Sequence, residues 1–278
     1  MLLGSSIRHA CCLLLALIGV STTSGAQPRV ETRERKDEIA TDRPDFTEAS
    51  STVGKGRQQL ESGYTFSRNR NIGIVRSHTY PELLLRVGVI SDAIELRVGQ
   101  SFVRTTAEGA GGDPTVSQGA EDLYTGVKFA LRAQRRLWPE TALVLQSTVP
   151  TGAASLTAGR MMPGVNLLYG WELRRSAVSL GGSTQLNSAL NDERRCYPDF
   201  AQALTVGWDF ATAVGAYVEA YAFVPLRAVG ASVARTRYVN SGFRIKSGKN
   251  VQYDVRVGRG LTAASDDYFV GLGVSVRR

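Results

Sequence analysis

The chain has 278 residues, 43% of them hydrophobic, a formal net charge of +8 at pH 7, three cysteines and two histidines. After its first 26 residues no stretch offers about twenty uninterrupted apolar residues, so no later segment reads as a transmembrane helix. The positive charge is spread through strand-like segments and their connections, with no basic helix or aromatic RNA-binding motif, which argues against nucleic acid and for acidic lipid headgroups such as lipopolysaccharide.

Arg8 and His9 close a short, weakly positive leader, followed by an apolar run from Ala10 to Val20 and small or polar residues from Ser21 to Ala26. That pattern predicts an export signal cut before Gln27. Cys11 and Cys12 lack the small-residue context that lipidation needs, and once the leader is cut Cys196 stands alone, which rules out an internal disulfide or a cysteine-based zinc site. Three regions are expected: a signal peptide over 1–26, a polar periplasmic segment over 27–57, and a barrel over 58–278. The charge run Arg33 to Glu38 reads as a solvated tail.

From there the residues alternate apolar and polar in segments of about ten, the length a tilted strand needs to cross a bilayer and longer than the strands of most soluble proteins. Successive side chains of a strand face opposite ways, so each segment carries one apolar and one polar face. Strands are expected over 59–68, 78–90, 93–103, 122–134, 138–149 and 163–173, then over 176–186, 199–211, 214–224, 235–246, 251–259 and 268–276. In the last of them Tyr268, Val270, Leu272, Val274 and Val276 share one face, while Phe269, Gly271, Gly273 and Ser275 share the other. Ser91-Asp92, Arg135-Arg136, Arg174-Arg175, Thr212-Ala213 and Ser247 to Asn250 read as short turns. Longer loops are expected over 104–120, 150–162, 187–198 and 225–234. An even strand count with alternating short turns and longer loops is the pattern of a bacterial outer-membrane barrel, with both chain ends on the periplasmic side.

Alternation alone does not say which face is inside. A soluble lipocalin-like barrel would turn the apolar face in. Three features favour a polar lumen instead. The polar faces carry both charge signs: Glu61, Glu82, Glu95, Glu172, Asp209, Glu219 and Asp254 against Arg86, Arg97, Lys128, Arg132, Arg244 and Arg256. Enclosed charges must be paired or wet, and this set can pair across a lumen. Trp138, Trp171, Trp208 and Phe210 fall beside the short turns, where a membrane-interface belt belongs. The third feature is the export signal.

The segment Ile39 to Glu48 (IATDRPDFTE), then Thr52-Val53, then Gln59 to Tyr64 (QLESGY), resembles the start of an outer-membrane family catalogued as MetA-pathway of phenol degradation proteins and often labelled a transporter. The resemblance implies a barrel and the passage of aromatic compounds. One departure is the end of the chain, Val276-Arg277-Arg278, where outer-membrane barrels carry a terminal aromatic for the insertion machinery.

No catalytic, metal or cofactor constellation emerges. Mature His78 has Ser77 beside it, but adjacent strand residues face opposite ways; Asp266-Asp267 is an acidic pair in the last outer loop. The stretch Gly109 to Asp113 is glycine-rich but follows no strand-to-helix pattern, so it reads as a loop and not a phosphate cradle. The expected function is an outer-membrane channel for small molecules, with no enzyme activity. A sealed structural or adhesive barrel is the alternative, ahead of an outer-membrane hydrolase. The cluster Thr41, Asp42, Arg43, Pro44, Asp45 and Phe46 precedes the first strand and must sit at the periplasmic mouth. Either it folds in, with Arg43 meeting Glu61 or Glu95, or it is a tether.

Overall fold

Thirteen strands and no helix occupy the residues described by the computed structural model, which are 38–70, 73–108, 113–173, 177–227 and 233–278. The strands are β1 (Gln58–Asn69), β2 (Ile74–Val89), β3 (Ile94–Glu108), β4 (Thr115–Ala120), β5 (Leu123–Arg132), β6 (Glu140–Val149) and β7 (Met162–Glu172). They continue with β8 (Val178–Leu190), β9 (Cys196–Ala211), β10 (Val214–Pro225), β11 (Thr236–Ser247), β12 (Val251–Gly260) and β13 (Tyr268–Arg277). The leader, the charge run up to residue 37, Arg174-Arg175, residues 109–112 and residues 228–232 lie outside the described residues.

Every neighbouring pair is antiparallel. The sheet closes because β1 pairs with β2 on one side and with β13 on the other, from Gln59 opposite Arg277 to Arg68 opposite Tyr268. A closed ring leaves no strand edge unpaired, which a hydrocarbon environment requires. The ring holds twelve barrel strands, because β4 and β5 are two halves of one. Both pair with β3, with Phe102 opposite Ala120 and Gly99 opposite Tyr124; the break falls at Glu121-Asp122.

The expected loop over 104–120 is therefore largely strand, and β2 and β9 start earlier than the alternation suggested. At that end of the barrel Arg76, Ser77, Thr105 and Thr106 still pair across β2 and β3. Beyond the bilayer both faces of a hairpin are wet, so pairing continues after the apolar period has stopped.

The apolar faces point outward. Leu60, Leu96, Val98, Leu145, Leu204, Val255 and Leu272 are exposed, whereas Gln59, Glu61, Arg86, Glu95, Lys128 and Glu219, on the opposite faces, are buried. This inverts a soluble protein and excludes the lipocalin-like arrangement. Trp138 and Phe210 are exposed at the short-turn end, and Trp171 Nε1 donates to the Leu137 carbonyl there at 2.8 Å. At the other end Tyr64, Phe66, His78, Tyr80 and Tyr268 pack ring to ring. Two aromatic belts thus flank the apolar band.

Candidate functional site

Residues 38–57 form no strand or helix, yet Ile39, Asp42, Pro44, Thr47 and Val53 are buried. Backbone without secondary structure needs partners for its N–H and C=O groups. Here the barrel wall supplies them. Glu61 of β1 accepts from the amides of Asp42 and Arg43, both at 3.1 Å. Glu219 of β10 accepts from Phe46 and Thr47, both at 2.7 Å, and Glu95 of β3 accepts from Val53 at 2.8 Å. The carbonyls go to cations: Ala40 to Arg86, Ala49 to Lys128 and Pro44 to Arg256, each at 2.9 Å. In the ring order β3 and β10 stand opposite each other, so a segment bonded to both crosses the interior of the barrel.

Asp42 is the hub of the charges. Its carboxylate lies 3.3 Å from Arg86, 2.8 Å from Arg97 and 3.2 Å from Lys128. Arg86 also grips Glu95 with two nitrogens, at 2.8 and 3.0 Å, and meets Glu61 at 3.1 Å. Burial opposes ionisation of Asp42, but Arg86, Arg97 and Lys128 outweigh it and hold the carboxyl well below the usual carboxylate range. Asp45, three residues on, is the reverse case. Burial, and then the neighbouring Glu219 carboxylate, push it up to about 8, with Arg244 the main opposing charge. Of these two strap carboxyls, Asp42 is therefore held as an anion and Asp45 is held neutral at pH 7.

Arg43 does not use the partners expected of its side chain. Glu61 takes its backbone amide, and Glu95 belongs to Arg86 and Val53. The Arg43 guanidinium instead reaches Glu82 of β2 at 2.5 Å and Asp254 of β12 at 3.5 Å. Two glycines make that path possible. Gly63 and Gly273 face each other across β1 and β13, and a Cβ on either would stand 2.2 to 2.3 Å from the guanidinium.

Of the expected lumen residues, the structure gathers Glu61, Glu82, Arg86, Glu95, Arg97, Lys128, Glu219, Asp254 and Arg256 around this one segment. Arg244 stands on the same wall near Asp45. Three others do not join. Arg132 follows a register shift after Ala130 that sets it opposite Thr141, on the face of Leu143 and Leu145, where it covers the Trp138 ring at 4.8 Å. Glu172 and Asp209 keep the polar parity but sit exposed at the short-turn rim, beyond the reach of the segment. Gln59, Asn240 and Gln252 complete the interior set: Gln59 donates to the Ala40 carbonyl, Asn240 to Glu219 and Gln252 to the Thr41 hydroxyl. Their only signal in the sequence is the polar face itself, because they carry no charge.

On the long-loop side of the segment a cavity of about 580 Å³ opens, floored by Glu48 and Arg97. Tyr124, Gln146 and Asn187 form a hydrogen-bonded chain along its wall, at 3.2 and 2.8 Å. Ser77 and His78 serve separate contacts: Ser77 meets the Thr105 hydroxyl at 3.1 Å and His78 meets the Tyr64 hydroxyl at 2.9 Å on the outer surface. Among the described residues no group of three or more His, Cys, Asp or Glu side chains could hold a metal ion.

Residues 41–277 match the model of a family described as "Putative MetA-pathway of phenol degradation". The fold is similar to that of an outer membrane channel from Pseudomonas putida F1, at 14% identity and a TM-score of 0.64, over 82% of this chain and 98% of that one. It is also similar to the translocator domain of the autotransporter NalP from Neisseria meningitidis, at 10% identity and a TM-score of 0.50, over 79% of this chain and 86% of that one. The transport unit of the autotransporter AIDA-I from Escherichia coli matches at 6% identity and a TM-score of 0.50, over 79% and 88%. No curated protein matches the chain significantly.

Proposed function

The chain belongs to the MetA-pathway of phenol degradation family, and on that footing we propose that it is an outer-membrane channel for small molecules whose lumen its own residues 38–57 close from the periplasmic side. The observation that carries this reading is the crossing segment. Carboxylates and cations from strands all round the ring spend their bonding on its backbone, from Glu95 on β3 to Glu219 on β10. A barrel built only as a membrane anchor has no need of a charged interior matched to a removable strap. The likeness to an outer membrane channel supports the same reading. Export by a signal peptide cut before Gln27, outer-membrane insertion and contact with lipopolysaccharide belong to this proposal, as do passage of aromatic solutes and the absence of catalysis.

Twelve strands lie between the filled interior of eight and the open aqueous pore of sixteen. Such a lumen is narrow, and a strap of about twenty residues suffices to close it. The test is planar-bilayer conductance. Deleting Gln27 to Ser51 should raise conductance at least several-fold over the full chain, while a β-rich circular dichroism spectrum in detergent shows the barrel intact. A full chain and a truncated chain that are equally silent would favour a sealed structural barrel.

A further inference from the structure

One part of the interior is not explained by charge. Phe46, at the middle of the strap, lies flat on Tyr221 of β10, with ring centroids 4.8 Å apart and planes 10° from parallel. Tyr221 in turn stacks on Tyr238 of β11 at 4.9 Å and 16°. Phe223 meets both Phe46 and Tyr221 edge to face, at 5.3 and 6.0 Å. These rings sit inside the barrel, where Tyr221 and Tyr238 face each other in the β10–β11 register next to the interior pair Glu219 and Asn240. A stack of aromatic rings beside the charged and amide groups of Glu219, Asn240 and Arg256, continued by Phe269 against Tyr238, needs a reason.

Position gives one. Strand β10 runs from the short Thr212-Ala213 turn toward the long-loop end, so Tyr221 and Phe223 lie beyond Glu219 on the outer side of the strap. A solute entering from outside meets these rings before it meets the closure. Phe46, Tyr221, Phe223 and Tyr238 are all only partly buried. Phe46 is held there by stacking, while the amides of Phe46 and Thr47 are held by Glu219. Loss of one contact therefore loosens the neighbour that carries the other.

We propose that Tyr221, Phe223 and Tyr238 form a binding slot for a planar aromatic ring, that Phe46 fills this slot in the closed channel, and that an aromatic solute opens the channel by taking its place. The inference rests on the channel reading and adds to it the place where an aromatic ring is held and the means of opening. Offset or parallel stacking is specific to flat rings, so the slot separates an aromatic from a saturated ring of equal size. Release follows because two rings cannot occupy one face, and a strap that loses its central ring keeps only its polar contacts, which water can replace.

The experiment uses the full chain in detergent for calorimetry and in planar bilayers for conductance, with phenol as probe and cyclohexanol as its saturated counterpart. Phenol should bind Phe46→Ala about three- to tenfold more tightly than the unaltered chain, because the competitor is gone. Adding Tyr221→Leu to that variant should remove the gain. In bilayers phenol should raise the open probability of the unaltered chain, cyclohexanol should leave it unchanged, and Phe46→Ala should be open without either. Equal phenol affinity with and without Phe46 overturns the slot, and so does a cyclohexanol response that matches the phenol response. If no variant conducts, including the chain lacking residues 27–51, the channel reading falls, and the calorimetric comparison still decides the slot by itself.

Discussion

Asp42 meets Arg86, Arg97 and Lys128 within 3.3 Å, so one carboxylate offsets much of the positive charge on that wall. Removing one partner of a buried ion pair costs about 3–5 kcal/mol, because the remaining charges stay enclosed. Asp42→Asn keeps the shape and removes the charge; it should unseat the strap and raise the open probability in bilayers, with the circular dichroism of the barrel unchanged. Asp45 predicts a pH dependence of the opposite kind. Its carboxyl lies near 3.8 when released and at about 8 when seated, owing to burial and Glu219. The seated strap therefore binds the extra proton between those values, and seating weakens as pH rises through that window and levels off above it. Open probability should climb from about pH 4 to about pH 8, and Asp45→Asn, which is neutral throughout, should abolish the climb. A flat profile in the unaltered chain would dismiss Asp45 as the titrating group. Part of this was legible in the sequence: charges of both signs at period two mark an enclosed polar face, which named Glu61, Arg86, Glu95, Lys128 and Glu219. What the period does not encode is pairing. Arg43 goes to Glu82 and Asp254 because two glycines clear its path, and Arg132 leaves the interior because of one shifted register.

At the scale of elements, the strap and the strands make opposite demands on sequence. A strand announces itself by alternation; the strap has none, and its order comes entirely from side chains brought by other elements. That is why its motif is equally compatible with a tether, and why its contacts with β3, β5 and β10 leave no mark in its own residues. The outer ends of β2, β3 and β4 escaped for a related reason: where a hairpin leaves the bilayer, backbone pairing persists and the apolar period does not. The glycines of β1 and β13 give the element a test of its own. Gly63→Leu would put a side chain where the Arg43 guanidinium lies, on a face that points away from lipid and from the β1–β13 hydrogen bonds. The barrel should insert and resist heat as before, shown by an unaltered heat-dependent shift on gels. Protection of the amides of Asp42, Arg43 and Phe46 in hydrogen exchange should fall by an order of magnitude or more. Unchanged protection would mean that Arg43 does not hold the strap.

At the scale of the molecule, the proposed channel would draw both its closure and its selectivity from the same charges. Carboxylates of the wall point at the amides of the strap, and cations of the wall point at its carbonyls and acids. With the strap seated, Arg97 and Lys128 face Asp42 and Glu48, and the guanidinium of Arg43 answers Glu82 and Asp254. Withdrawing residues 38–51 removes the Glu38, Asp42 and Glu48 carboxylates and one cation, Arg43, while Asp45 is neutral at pH 7 and takes no charge with it. The wall is left with Arg86, Arg97 and Lys128 clustered on adjacent strands, whose remaining acid neighbours are Glu61 and Glu95. A narrow low-dielectric passage focuses such a potential, so mobile anions should concentrate at the constriction. The chain lacking residues 27–51 should therefore give a reversal potential in a potassium chloride gradient displaced toward chloride. Lys128→Gln in that background should move it back toward zero, and salt near 1 M should flatten the difference by screening. A truncated channel that prefers potassium would show that Glu61, Glu82, Glu95, Glu219 and Asp254 govern the opened lumen, and that Asp42 had served only to seat the strap.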